Sequence, residues 1–521
     1  MDPKYNDIPK EKFVLANHGE KITDKELETK PVGYFRDAFN RFRKNKSSMV
    51  AAVIIIFLIL FAFFTPFFSH YKVSDRDGYY KNALPKSELF SFLGWDGCKD
   101  TTETQAGYDY YRSIGMEYGE SAVKDRNGSY VDSNSGLTYY EISVDTYDKV
   151  GFVYADLDDE EYEKLKSYQN ETGIQVIYPM PANYKTDFVT VSSPANLWYK
   201  LADEGENSTG EALDHDENGE AIYEADYLLK KSETFAKYDS LRLDLPDIDG
   251  VTTDDEGNPL YVAYAVKNQT GYRVRVLYRE YYRYQNGYYA THLFGTNQHG
   301  QDILVCLAYG ARLSFLLAFA VSIINFIIGV VYGAIEGYYG GATDLIMERI
   351  VDVLNSVPFI VVATLFQLHL ADKVGAVPSL LFAFVLTGWI GIAYRVRTQF
   401  YRFKNSEYVL AARTLGARDS RLIFRHILPN SLGTIITGTI LIIPGVIYSE
   451  SMLTYLGIVN LETSGFTSIG TMLSNGQAYL NSYPHIILFP ALFISLLEIA
   501  FNLFGNGLRD AFNPSLRGAE E

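Results

Sequence analysis

The sequence predicts an all-α polytopic membrane protein of six transmembrane helices, interrupted by an inserted α+β extracytoplasmic domain. Three observations carry this reading. Six apolar runs are each long enough to cross a bilayer. The acidity is confined to one central block: residues 71–290 hold 22 Lys+Arg against 41 Asp+Glu, and the net charge of the whole chain is −17. The same block holds 29 of the 42 tyrosines. The 521 residues therefore divide into a polar, Tyr-rich middle and apolar ends, too much chain for one domain.

The first run, 49–68, is 20 residues without a charge. At ~1.5 Å per residue it spans a hydrocarbon core of about 30 Å. It is too long for a signal-peptide core, follows 48 mostly polar residues, and has no small-x-small cleavage pattern. The runs 313–335, 376–394 and 427–448 are also charge-free; 350–370 contains Asp352 near its start, and 486–504 contains Glu498. Six such runs exclude a soluble protein with a few buried helices.

Basic residues set the expected orientation. Arg41, Arg43, Lys44 and Lys46 precede the first span, which places the N-terminus in the cytoplasm. Six crossings return the C-terminus to the same side. The loop between spans four and five is then cytoplasmic, and its residues 395–425 hold eight Lys/Arg and two acids. The expected organisation is a cytoplasmic segment 1–47, a first membrane helix 48–70, an extracellular domain 71–290, a membrane core 291–515 with a cytoplasmic loop at about 395–430, and a tail 516–521. Such a chain belongs in the cell membrane, in contact with lipid.

Within 1–47, Phe35, Ala38, Phe39 and Phe42 fall at helical spacing between basic residues. Two readings stay open, a helix on the inner membrane surface or an extension of the first span. The 71–290 block is too long for a loop. Residues 261–267 and 272–278 flank a four-residue turn at hairpin spacing, and 137–150 also reads as β. Residues 159–168 and 226–235 have helical patterns. Tyr281, Tyr282, Tyr284, Tyr288 and Tyr289 stand just before the membrane, where an aromatic belt is expected.

Two cysteines, Cys98 and Cys306, make neither a disulfide framework nor a metal cluster. No basic face is available for nucleic acid. The run Asp214 to Gly219 begins like a calcium loop, but its twelfth position is Ala225, and an acidic turn explains it as well. Glu498 sits mid-span, where a charge is costly; it lines a pathway or makes a polar contact between helices.

The most specific pattern lies in the cytoplasmic loop. Glu407 opens a short helix, Ala411-Ala412 gives it a small face for close approach of another protein, and Gly416 can end it in a left-handed turn. Ala417 then leads to Asp419, a possible cap of a second helix, and His426-Ile427-Leu428-Pro429-Asn430 marks entry to span five. This spacing of Ala-Ala, Gly and Leu-Pro resembles the "EAA" loop of ABC-importer permeases. The ending resembles the oligopeptide/dipeptide/nickel family, with Leu410 where that family has Glu. Phe294-Gly295-Thr296-Asn297, Gly300-Gln301-Asp302, Tyr309 to Ser314, Gly337 to Gly341, Ser451 to Gly457 and Phe501 to Asp510 resemble other segments of its C-type subunit. Asn297, Gln301 and Cys306 stand where the family usually has Asp, Arg and Arg.

The resemblance implies one of two permease subunits of an importer for oligopeptides, without catalysis of its own. It implies a second permease, two cytoplasmic ATPases that bind ATP and Mg, and an external peptide-binding protein. Glu407, Ala411, Ala412, Gly416, Ala417, Asp419 and Pro429 would form the ATPase coupling element. The absence of a Walker A sequence from this chain accords with energy supplied by another subunit. Two alternatives remain: a permease for another small solute such as nickel, and a membrane-anchored receptor or adhesin.

Overall fold

The computed structural model describes residues 34–114, 118–178, 180–181, 200–201, 223–224, 262–267, 269–461 and 467–512. The run Asp214 to Gly219 and the expected helix at 226–235 lie outside them.

Helix α1 (Tyr34–Lys44) is separate from α2 (Lys46–Phe68), because Asn45 between them is extended and its side chain accepts from Ser48 N at 3.2 Å. The N-terminal helix is thus not an extension of the span. It buries Ala38 and Phe42, and Phe42 meets Phe504 edge-on at 5.2 Å. Helix α2 contains Pro66, which has no N–H for the carbonyl of Ala62. Arg312 supplies the missing donor, Nε to Ala62 O at 3.4 Å, and its Nη2 adds a bond to Phe63 O at 3.1 Å. A side chain thus re-satisfies the carbonyl that a proline in a membrane helix leaves open.

The insertion is α+β. A three-stranded antiparallel sheet, order β1-β3-β2, is formed by β1 (Cys98–Thr104), β2 (Val123–Val131) and β3 (Thr138–Asp145), with α3 (Gln105–Ser113) packed on it. The expected strand at 137–150 stops at Asp145, whose carboxylate accepts from the backbone N–H groups of Tyr147 and Asp148 and turns the chain into a short 3₁₀ segment. A second sheet joins β4 (Phe152–Leu157), β5 (Ile177–Tyr178), β6 (Ala265–Lys267) and β7 (Tyr272–Leu277). The expected hairpin is the β6–β7 pair, with Lys267 opposite Tyr272. The expected helix at 159–168 is α4 (Asp159–Thr172), started by a reciprocal Asp158–Glu161 capping box and ended by Gly173 at φ +70°.

After α5 (Tyr278–Asn286) the chain re-enters the core through α6 (Ile303–Tyr339). Next come α7 (Gly341–Asn355) and α8 (Phe359–Val374), then α9 (Ala376–Gly388) and α10 (Ile390–Phe403). The loop helix α11 (Glu407–Thr414) precedes α12 (Asp419–Arg421), which runs through a π-helical turn, Leu422–Ile427, into α13 (Leu428–Thr439) and α14 (Ile442–Tyr455). The short α15 (Ile469–Gly476) and the long α16 (His485–Phe512) complete it.

Among the described residues, five helical stretches are long and apolar enough to cross a membrane, and six if α7 and α8 count as one span. That pair is bent by 72°. The run expected as one straight helix is therefore broken at Ser356-Val357-Pro358, where proline lacks the N–H to continue. The five tyrosines expected as a membrane belt mostly pack inward: Tyr281, Tyr282 and Tyr284 lie on the ectodomain core, and Tyr288 on Tyr71. Cys98 and Cys306 are both free thiols. Burial beside Asp145 and Asp96 pushes the Cys98 thiol up to about 12.

Candidate coupling loop and its seat

The loop is carried by α10, and α10 is held hard against α6. Gly329, Gly333 and Gly337 recur every fourth residue on one face of α6. A Cβ there would meet Ile392 Cβ at 2.6 Å, Ala393 O at 2.2 Å and Phe400 Cβ at 2.7 Å, respectively. Small residues at this spacing let two membrane helices touch through their backbones.

Below that contact, Val330, Ala334 and Tyr338 of α6 join Ile392, Val396 and Phe400 of α10 in one apolar cluster. Val409 of α11 and Leu422, Ile423 and Ile427 of the π-helical turn are buried in the same cluster. The loop is thus seated on the core. Polar bonds fasten it further. The Tyr338 hydroxyl donates to Asp419 Oδ1 at 2.6 Å, and Lys404 Nζ donates to Gly337 O at 3.0 Å.

Arg397 of α10 ties this seat to the bent span. Its Nε and Nη2 donate to the two oxygens of Asp344 at 2.6 and 2.8 Å, a two-pronged geometry that point charges do not give. The same guanidinium reaches Glu348 at 3.2 Å and Glu336 at 3.4 Å. One cation therefore joins α6, α7 and α10.

The predicted loop residues fall close together but not all on one surface. Glu407 lies exposed in the first turn of α11. Ala411 is exposed, whereas Ala412 and Ala417 pack against the cluster. The small Ala-Ala face is therefore split: one alanine looks outward and the other holds the loop to its seat. The outward face is completed by Tyr408, Leu410 and Leu415, the last 88% exposed. Gly416 takes the left-handed conformation, φ +79°, and a Cβ there would touch nothing. Asp419 does not cap α12. That position is Arg418, and the Asp419 carboxylate is turned to Tyr338. Pro429 stands in the first turn of α13, directly after the π-helical turn, so its missing N–H falls where the helix is already irregular. Glu498 is half-buried on α16, and no described hydrogen bond or ion pair joins it to the loop.

Sequence reading passed over Tyr338, Arg397 and Glu450. The recurrence of Gly329, Gly333 and Gly337 was a legible signal for the first two, since it marks the α6 face that α10 must meet. Glu450 lies just beyond the charge-free run 427–448. It is buried, with Ser314 Oγ donating to Oε2 at 2.8 Å and Thr454 Oγ1 to Oε1 at 3.1 Å. Hydroxyls satisfy what would otherwise be a costly buried carboxyl.

The segment before α6 explains two departures from the family pattern. Asn297 Nδ2 donates to Gln301 Oε1 at 3.0 Å, so the two neutral residues pair with each other where the family usually has Asp and Arg. Asp302 accepts from Val305 N at 2.9 Å to cap α6, and its other oxygen meets His292 Nδ1 at 2.8 Å.

The chain is similar to known transport proteins over these elements. Residues 325–518 match the family model described as the binding-protein-dependent transport system inner membrane component. Residues 33–85 match the N-terminal TM domain of oligopeptide transport permease C. Most of the ectodomain falls between the two matches. The oligopeptide transport system permease protein OppC of Bacillus subtilis is 42% identical over 226 residues, 43% of this chain and 72% of that protein. The dipeptide transport system permease protein DppC of the same organism is 41% identical, over 44% and 70%. OppC of Haemophilus influenzae is 40% identical, over 43% and 71%. On these matches, carried by the same helices that build the loop and its seat, the chain belongs to the oligopeptide and dipeptide permease family of binding-protein-dependent transport systems.

Proposed function

We propose that this chain forms half of the pathway through which an ABC importer takes up oligopeptides, and that its 395–430 loop receives the motion of a cytoplasmic ATPase. The observation that carries the proposal is the two-sided loop. Tyr408, Leu410, Ala411 and Leu415 face outward without a neighbour large enough to cover them, while Val409 and Ala412 are anchored in the core. An element that presents an apolar face on a rigid seat can transmit a push to the helices beneath it. Tyr338, Arg397 and the α6–α10 glycine contact are the path from loop to span.

The assembly implied is this chain with a second permease, two ATPases that bind ATP and Mg, and an extracytoplasmic peptide-binding protein. The loop and both termini then face the cytoplasm, and the ectodomain faces outward. The permease performs no bond chemistry. Relatives named for oligopeptide and dipeptide transport favour peptide as cargo. Half-buried Glu498, whose Oε1 has no hydrogen-bond partner among the described residues, is the candidate to face a peptide amine.

The test is uptake by the complete complex in proteoliposomes. ATP-dependent accumulation of a labelled oligopeptide, with none of nickel, is expected. Accumulation of nickel but not peptide would overturn the cargo assignment. Failure of ATP to drive any uptake, in a complex that contains both ATPases, would overturn the importer reading.

A further inference from the structure

Between α2 and β1 the chain makes a small closed loop. Its ends are tied by Ser87 N to Trp95 O at 2.8 Å and Gly97 N to Pro85 O at 3.0 Å. Lys86 Nζ bonds Asp145 Oδ2 at 2.7 Å, which fixes the base of the loop to the end of β3. The tip is a short 3₁₀ helix, Glu88–Leu93, ended by Gly94 at φ +83°. A loop pinned in this way would be expected to fold its apolar residues inward. It does so with Phe90, whose ring meets Trp95 at 5.3 Å. It does the opposite with Leu89 and Phe92, which are 74% and 78% exposed.

The loop's position supplies the reason. Trp95 lies 6.0 Å from Phe489 and 6.0 Å from Phe294, and those two rings are stacked 4.0 Å apart. Phe489 is in the second turn of α16, within the apolar run that crosses the membrane. The tip is therefore held beside the N-terminal end of a helix long and apolar enough to cross a membrane. On α16 itself Leu488 and Leu492 are exposed in the same manner. The tip's exposed residues are of the same apolar kind, and Trp95 joins the tip to this helix through Phe489.

We infer that Leu89 and Phe92 insert into the bilayer leaflet on the ectodomain's side, so that the 85–97 loop is a membrane-seated foot of the ectodomain. The occupant is the acyl and glycerol region of phospholipid. Trp95 and Phe90 are the aromatic pair at the interface, a depth that suits aromatic rings. The foot gives the ectodomain a support on the membrane besides its two chain connections, and it fixes the domain's tilt over the pathway.

The test uses the full chain in its assembled complex, in nanodiscs of phosphatidylethanolamine and phosphatidylglycerol. Cys98→Ser and Cys306→Ala clear the native thiols. Single cysteines are then placed by Phe92→Cys or Leu89→Cys, with Leu492→Cys as lipid reference and Lys81→Cys as water reference. Each carries a nitroxide, and its collisions with oxygen and with a water-soluble nickel chelate are measured. The insertion predicts that labels at 92 and 89 meet oxygen often and the chelate rarely, as at 492. The ratio should exceed that at 81 several-fold. Frequent collision with the chelate, as at 81, would overturn the inference. Exclusion of both reagents would also overturn it, by assigning the tip to a protein neighbour. The two positions report separately, so one misfolded variant does not remove the test.

Discussion

The ectodomain fills its interior with tyrosine rings, whereas the membrane core brings its helices together by leaving side chains out. In the ectodomain Tyr80, Tyr162 and Tyr264 are fully buried; Tyr162 stacks on Tyr272 at 4.4 Å, and Tyr80 meets Tyr278 at 5.0 Å. In the core α6 and α10 come together through Gly329, Gly333 and Gly337. The solvent explains the contrast. In water, burying a large ring gains the hydrophobic free energy of its area. In lipid a leucine gains little by leaving acyl chains for another leucine, so close backbone packing and internal hydrogen bonds decide. One chain thus uses two packing rules, and the boundary between them is the segment 292–302. There Thr296 Oγ1 receives the N–H of Ala83 at 2.8 Å, and a Cβ on Gly300 would meet Asp77 O at 1.8 Å.

This contrast can be broken most severely at Gly333. In Gly333→Leu the added side chain has only the Ala393 carbonyl to enter, so α6 and α10 must part. Overpacking of this kind costs about 1–3 kcal/mol or more when backbone must move. We expect loss of monodisperse protein on extraction. Normal yield with unchanged thermal stability would show that the two helices are not in backbone contact.

A smaller and local effect is expected in the ectodomain. Tyr162→Ala removes a buried ring and should cost about 3–5 kcal/mol, as aromatic truncations do. Hydrogen exchange should accelerate across β4, β7 and α4, with α6 and α10 unchanged. Equal acceleration in both regions would show that the two packing units are one cooperative unit. Smaller still is Tyr338→Phe, which removes one hydroxyl bond to the exposed Asp419, about 0.5–1 kcal/mol. Faster exchange confined to 409–423 is expected. No change would show that this bond does not hold the loop.

The six apolar runs were legible because membrane burial needs uninterrupted length, and length survives in the sequence. The loop's turn at Gly416 was legible for a similar reason, since glycine is the residue that accepts φ +79° without strain. The partners of single residues were not. Asp419 looked like a cap because its neighbours suggest a helix start. Tyr338, 81 positions away in sequence, claimed it instead. The pre-membrane tyrosines have belt composition, and only the fold shows that Tyr80 and Tyr168 stand ready to pack on them. The bend of 72° between α7 and α8 was marked by Pro358, but a proline alone does not give an angle.

The central claim is that the exposed face of α11 docks an ATPase. Ala411→Arg tests it most directly, since Ala411 is exposed and is not among the residues that pack the loop onto its seat. The variant is co-expressed with the second permease and both ATPases, and the complex is isolated through a tag on this chain. The account predicts a folded permease pair, with normal yield and melting, from which the ATPase partnered with this chain is missing or sharply depleted. An ATPase retained at full stoichiometry, with wild-type ATP-driven uptake, would contradict it. That result would leave the loop a surface hairpin and remove the argument that it faces the cytoplasm.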